Sequence, residues 1–250
     1  MKKNDREQRI ISILDSKREM SVEELSSTLN ISPSTLRKQL ADMQKRGLII
    51  RTYGGVLSVD PVADESFDSK MHKSSSEKLR IAIKARTLIN EGASVAMGSG
   101  TSVYALANAM NDLSRGTVYT NSMQVAEYLG PYPALEVHVC GGIIRSHTGT
   151  MIGNDVTKFF EKLSIDIAFV GCDAIDSAGN VCSDNLATAT SEHAVISRAK
   201  KTFVLCDSSK IGKQSVAVIT NLKNVSGLIT GIEAQSMAER YSLLTSVIYV

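Results

Sequence analysis

Up to about residue 57 the apolar positions recur at helical spacing. Ile10, Ile13 and Leu14 do so within Arg6–Ser16, Val22, Leu25 and Leu29 fall at i, i+3, i+7, and Leu36, Leu40 and Met43 at i, i+4, i+7. The pattern predicts three amphipathic helices. Ser21 followed by Glu24 is an S-x-x-E capping box opening the second, and Asn30 closes it. Ser32 is a good N-cap for the third, Pro33 suits its first position, and Ile31 can staple to Leu36. Only about three residues part the second and third helices, which is helix-turn-helix geometry. After Gly47, a C-cap candidate, LIIRTYGGVLSV reads as a hairpin turning at Tyr53-Gly54-Gly55, a wing beside the helices.

The period then changes. Residues 58–76 hold Pro61, four acidic residues and several serines without apolar periodicity, and read as an interdomain linker. Ser74 and Glu77 form a second S-x-x-E pair, predicting a capped helix to about Asn90, with Gly92 ending it. Short β-prone runs follow at 93–97, 117–120, 136–140, 165–171, 202–206, 227–230 and 246–250, with amphipathic stretches at 102–110, 123–129 and 186–199 among them. Such alternation implies βαβ units. The expected fold is a winged helix-turn-helix domain (1–57), a linker (58–76) and an α/β domain with a mostly parallel sheet (77–250).

Composition changes this picture little. The 250 residues are 43% hydrophobic and 22% charged, ordinary for a globular chain. No apolar run reaches the ~18 residues of a membrane span, and MKKNDREQRI does not lead into the apolar core of a secretory signal. A cytoplasmic protein without a membrane partner is expected. Cys140, Cys172, Cys182 and Cys206 form no CxxC pair and the four His no i, i+4 pair, so neither a metal nor a cofactor is expected. Cys140 and Cys206 end apolar runs and fit as small hydrophobes. Charge is more informative when divided. Residues 1–55 carry 11 basic and 7 acidic side chains, against 17 and 19 in the remainder. A basic head on a faintly acidic body points to a polyanion held by the head.

Double-stranded DNA fits that head. Ser32, Ser34, Thr35, Arg37, Lys38 and Gln39 lie on the polar side of the third helix, where the first five suit base edges and phosphates in a major groove. Arg51 on the wing can reach a phosphate. In the body, ligands belong at the carboxyl ends of the strands, and five polar clusters fall there. Gly98-Ser99-Gly100-Thr101-Ser102 is either an anion-binding turn or a turn that needs glycine for sterics. Thr120-Asn121-Ser122 offers ligand donors or a cap. Gly141-Gly142 with Arg145 supplies a phosphate partner, and Asp173 an acceptor for sugar hydroxyls. Lys210 follows Asp207, itself a ligand or a cap. Glu192 is the further carboxylate at hand. Several donors, one or two cations and a carboxylate suit a small phosphorylated polyol, and neither a Walker lysine motif nor G-x-G-x-x-G is present.

With these residues in place, the chain resembles the DeoR family of transcriptional regulators over nearly its whole length. VEELSSTLNISPSTLRKQL and RTYGGV resemble that family's helix-turn-helix and wing. MGSGTS, YTNSMQVAEYL, VHVCGGIIR, DIAFVGCDAID and VLCDSSKIGK follow in the order of its sensor domain. The resemblance implies a sensor similar to ribose-5-phosphate isomerase, a phosphosugar effector, a bacterial repressor of sugar metabolism and a homo-oligomer, dimer or tetramer. The alternative reading is a sugar-phosphate isomerase with an accessory head. Two departures stand out. Arg37-Lys38-Gln39 replaces a frequent Arg-Arg-Asp, which implies a different operator, and Gly98 stands where the family usually carries Asp.

Overall fold

The structure, a computed structural model, describes all residues except 1–5, 8, 12, 15–18, 46–48, 52–54 and 59–65. Two compact units divide at Met1–Glu65 and Ser66–Val250. In the first, the described residues of 6–14 are helical (α1), followed by β1 (Glu19–Met20), α2 (Val22–Leu29), α3 (Pro33–Lys45), β2 (Ile49–Arg51) and β3 (Val56–Ser58). The capping box forms as expected, with Glu24 N donating to Ser21 Oγ and Ser21 N to Glu24 Oε2. Asn30 closes α2 at φ 53, a left-handed turn that Asn tolerates. Thr35 N donates to Ser32 Oγ at 3.4 Å, capping α3.

The core of this unit contains Ile10, Leu14, Leu25, Leu29, Leu36, Leu40 and Met43, joined by Met20, Ile49 and Val56. Arg51 pairs with Val56 across the antiparallel β2–β3 hairpin. Its turn residues Tyr53 and Gly54, like Gly47 and the end of the first helix at Ser16, lie outside the described residues. Pairing of β1 with β3 makes the sheet three-stranded, which a two-residue strand is too short to announce by alternation. Gln39 departs from expectation. It is buried, and Arg6 Nη1 donates to its Oε1 at 3.5 Å, because α3 packs against α1 as well as α2 and its inward arc is correspondingly wider.

The second unit runs α4 (Phe67–His72), α5 (Ser75–Arg86), β4 (Ser94–Met97), α6 (Thr101–Asn108), β5 (Gly116–Thr120), α7 (Met123–Leu129), β6 (Leu135–Val139), β7 (Ile143–Ile144), β8 (Met151–Ile152) and α8 (Asn154–Glu161). It continues through β9 (Ile165–Val170), β10 (Ala174–Ile175), β11 (Asn180–Ser183), α9 (Leu186–Ile196), β12 (Ala199–Leu205), β13 (Ala217–Asn221), β14 (Gly227–Thr230), α10 (Gln235–Ala238) and β15 (Ser246–Tyr249). Seven strands form one sheet in the order β15-β14-β12-β9-β4-β5-β6, and every pairing in it is parallel. Alternation along β9 divides the core. Ile167 and Phe169 join Ile81 of α5, Leu106 of α6 and Leu129 of α7. Ala168 and Val170 join Phe160 of α8 and Val195 of α9 on the other face. From β4 the chain fills one side with β5 and β6, then returns to the other with β9. The sheet therefore has a switch point between β4 and β9, where a crevice opens at the strands' carboxyl ends.

Several local expectations are corrected. Part of the stretch read as linker is α4, with Ser69 N donating to Ser66 Oγ at its start. Ser74 does not cap α5. It sits at φ 51 without a side-chain cap bond, while Glu77 accepts from Ser208 N, Ser208 Oγ and Gly231 N. Three donors inside the body outweigh one exposed helix-end amide. Helix α5 stops at Arg86 rather than Asn90, because Leu88 N and Ile89 N bond three residues back and tighten the end. Helix α9 stops at Ile196, and β12 already begins at Ala199 to pair with Ile165. Helix α8, the β7–β8 hairpin and the small β10-β11-β13 sheet were not legible.

Candidate functional site

The turns after β4 and β9 meet at the switch point. Gly98 N donates to Phe169 O at 2.9 Å, and a Cβ on Gly171 would lie 3.2 Å from Ser99 O. Gly100 adopts φ +100, a conformation that favours glycine, and a Cβ there would meet nothing within 4 Å. It opens α6, whose first N–H groups receive no side-chain cap. Free N–H groups at a helix start carry the positive end of its dipole. Sterics thus account for glycine at 98, while position 100 faces open space.

Glu192 of α9 reaches this turn from across the unit. Its Oε1 accepts from Ser99 N at 3.0 Å, Ser99 Oγ at 2.7 Å and Asn121 Nδ2 at 3.1 Å. Asn121 therefore serves Glu192, while Ser122 Oγ caps α7 by accepting from Val125 N. Ser102 Oγ, Asn121 Oδ1, Ser191 Oγ and Glu192 Oε2 are buried here without hydrogen-bond partners. Unpaired buried polar atoms are uncommon in folded proteins. Burial raises the Glu192 pKa and nearby Asp173 adds to this, outweighing the donors from Ser99 and Asn121. A carboxyl whose pKa rises on folding contributes stability below its ordinary value of 4.5 and loses it as pH climbs through the raised one. Thermal midpoints measured from acid to neutral pH are expected to fall across that window, and Glu192→Gln to flatten the slope. An unchanged slope in the variant would remove Glu192 as its origin.

Asp173, beyond β9, is fully engaged. Lys70 Nζ of α4 donates to its Oδ1 at 2.6 Å, and Ser183 Oγ and Asp184 N donate to its Oδ2. Burial pushes its pKa up, but Lys70 and Lys210 outweigh it and hold the carboxyl below its usual range. Lys210 Nζ donates to Cys172 O at 2.7 Å and lies 3.8 Å from Asp207 Oδ2. Burial draws its pKa down, yet Cys172, Cys206, Asp207 and Asp173 together leave it raised. Two ammonium groups thus flank one carboxylate. Asp207 also accepts from Ser209 N, which is the cap reading of that residue.

Other expected residues play local parts. Thr120 Oγ1 accepts from Ser122 N. Gly141 is exposed, and Gly142, at φ +137, lies where a Cβ would meet Ile152 O at 2.7 Å, so it serves hairpin packing. Arg145 Nη1 donates to Thr188 Oγ1 at 2.9 Å, tying the β7–β8 hairpin to α9. Cys140 and Cys206 are buried as expected. Burial pushes the Cys140 thiol up to about 12, while a hydrogen bond with Cys172 and burial raise Cys206. Such thiols are poor nucleophiles at neutral pH. Lys70, the partner of Asp173, is a residue that sequence reasoning missed, having been assigned to the linker. Its signal was an isolated Phe67 and Met71 at i, i+4 after Ser66.

In the first unit, Ser32, Ser34, Thr35, Arg37, Lys38 and Arg51 are all exposed, and the first five share the start of α3. Ser32 Oγ lies 3.2 Å from Ser34 Oγ and 2.8 Å from Thr35 Oγ1. Arg37 Nη2 pairs with Glu23 at 3.0 Å, an exposed bridge of the kind worth ~0–1 kcal/mol, so the guanidinium is cheaply released to a stronger partner.

Comparison with known families bears on the whole arrangement. The DeoR C-terminal sensor domain matches residues 73–231, and the DeoR-like helix-turn-helix domain matches residues 6–62. The chain belongs to the DeoR family. A glycerol-3-phosphate regulon repressor of Haemophilus influenzae is 29% identical over 92% of this chain and 90% of that protein. The lactose phosphotransferase system repressor of Streptococcus mutans is 28% identical over 99% of this chain and all of that protein. Among solved structures, ribose 5-phosphate isomerase A of Methanocaldococcus jannaschii is 19% identical, with a TM-score of 0.41 over 59% of this chain and 56% of that one. As a DeoR-family protein the chain is a transcriptional regulator with a DNA-binding head. Its Gly98 departure has a local reason: a Cβ at 98 would collide with Glu192 Oε2, so a carboxylate is present beside this turn but arrives from α9.

Proposed function

We propose that this regulator represses an operon of sugar metabolism and that a phosphorylated sugar, held at the switch point of its sensor, controls its hold on DNA. The observation that carries the reading is the meeting of an uncapped helix start, two ammonium groups and unpaired buried polar atoms where β4 and β9 diverge. The names of its relatives support it, since they repress a glycerol-3-phosphate regulon and a lactose phosphotransferase system. Residues 77–250, with Lys70 ahead of them, hold the effector, and residues 1–57 hold double-stranded operator DNA. The effector shifts the DNA equilibrium only by as much as it favours one state over the other. The protein works in the cytoplasm as a homo-oligomer, whose two-fold pairs read half-sites about 34 Å apart. Among the described residues no helix is long and apolar enough to cross a membrane. The sensor is read as a binding domain: of the two carboxylates an isomerase would draw on, Asp173 and Glu192, the first is hydrogen-bonded at both oxygens and the second is held through Oε1 by Ser99 and Asn121.

A thermal-shift screen of phosphorylated sugars against their unphosphorylated parents tests the effector. At least one phosphosugar is expected to raise the midpoint, and no response across a broad panel would refute the reading. At the head, Arg37→Ala is expected to weaken specific DNA binding by about 1–3 kcal/mol if it reads a base. The logarithm of affinity is expected to fall linearly with that of salt. Equal discrimination between operator and random duplex in the variant, read by fluorescence anisotropy, would take Arg37 out of that role.

A further inference from the structure

Within the second unit, α4, α6 and α7 leave a cleft of about 830 Å³, a size that holds small molecules. None of its lining side chains belongs to the switch-point site. Its wall is aromatic. Phe67 of α4 stands edge-on to Tyr104 of α6 with 5.4 Å between ring centres, and Tyr104 edge-on to Tyr128 of α7 at 5.8 Å. Tyr128 lies 5.6 Å from Tyr132, in the turn beyond α7, and Tyr132 Oη donates to Tyr128 Oη at 3.2 Å. All four rings are half-buried and line the cleft. Two helices add charge of one sign. Gln124, Glu127 and Tyr128 fall at i, i+3, i+4 on one face of α7, and Asp68 follows Phe67 on α4. Asp68 and Glu127 are exposed, and neither is engaged by a basic side chain among the described residues. Among those residues no lysine or arginine lines the cleft, and His72 is its one basic group.

We propose that this cleft is a second ligand site, one that takes an aliphatic di- or polyamine: ammonium groups meet Asp68 and Glu127, and the alkyl tether lies along the row of rings from Phe67 to Tyr132. The chemistry follows from the lining. A tyrosine face is the negative part of its ring and attracts an ammonium, and the attraction grows where water is excluded. Two carboxylates act in the same direction, since a cleft lined by one sign of charge concentrates the opposite one. Because they stand on different helices, a ligand that satisfies both needs more than one positive centre. The ring-to-ring steps of 5.4 to 5.8 Å are comparable to the separation of two ammonium groups on a short alkyl tether, so each charge of such a ligand reaches a ring. Its methylenes cover apolar ring surface that water otherwise meets. A phosphorylated sugar is repelled by both carboxylates, so the cleft and the effector site select ligands of opposite charge.

The test is calorimetric titration of the full-length protein with spermidine, putrescine, uncharged butanediol and a blocked tetralysine peptide. Spermidine is expected to bind more tightly than putrescine, with an affinity that falls as salt rises, and butanediol not at all. Glu127→Gln, an exposed change that keeps the side chain's shape, is expected to weaken spermidine by about tenfold or more. Tyr128→Leu is expected to weaken it about fivefold, whereas Tyr128→Phe keeps the ring and stays within about twofold of wild type. Glu161→Gln removes an exposed carboxylate of α8 and is expected to change nothing. Equal losses in Glu127→Gln and Glu161→Gln would reduce the binding to a general attraction between amines and acidic surface, and overturn the site. Butanediol binding as well as putrescine, or no response to either amine, overturns it too. If tetralysine binds more tightly than spermidine, the cleft belongs to a basic segment of a partner protein and the small-ligand assignment falls. Each of these failures leaves the phosphosugar reading standing, because that reading uses none of the residues changed here.

Discussion

Gly98→Ala is expected to destabilise the sensor by about 2–3 kcal/mol, the range for overpacking a site that cannot relax. The added Cβ would fall on Glu192 Oε2 and within 3.1 Å of Val170 Cγ1, and neither neighbour is free to retreat. Glu192 is clamped through Oε1 by Ser99 and Asn121, and Val170 lies in the core on a central strand. A double-mutant cycle separates sterics from backbone effects. Glu192→Ala strands the Ser99 and Asn121 donors and costs stability alone, but it opens the space a methyl at 98 requires. The double variant is therefore expected to be about 2 kcal/mol more stable than the sum of the singles, within the range of coupled contacts. Urea midpoints of the three variants provide the measurement. Strict additivity would mean that Gly98 is needed for its backbone and not for Glu192.

Leu40→Ala has a comparable effect confined to the other unit. Leu40 is fully buried in the core formed by the described residues of the first unit, and truncating such a leucine costs about 2–5 kcal/mol. A small core has little to spare. DNA binding in a gel-shift titration is expected to be lost or greatly weakened at the growth temperature, while the thermal shift given by a phosphosugar persists. Simultaneous loss of the sugar response would show that the cores described for Met1–Glu65 and Ser66–Val250 are not energetically separate.

Much of this molecule is written locally. Ser21 and Glu24 bond each other three residues apart, and Ser32 caps the helix whose leucines recur at 36 and 40; such signals act within a turn or two of chain. The same short range explains the failure at Ser74. Its S-x-x-E pattern was sound, but Glu77 found its donors at Ser208 and Gly231, 131 and 154 residues away. Lys70 escaped notice for a related reason. A six-residue helix gives too few positions for periodicity to register, and its partner Asp173 is 103 residues distant.

The paired helices of the head, the strand-helix alternation of the body and the polar turns at 98–102 and 171–173 were determined by the sequence itself, because caps, glycines and apolar periods act between neighbours. Which of those turns converge was decided only by the tertiary structure. Parallel pairing of β4 with β9 joins loops far apart in the chain, then sets Glu192 against Gly98 and Lys70 against Asp173. Those contacts arise from sheet order and helix packing, for which no single stretch of residues carries a period.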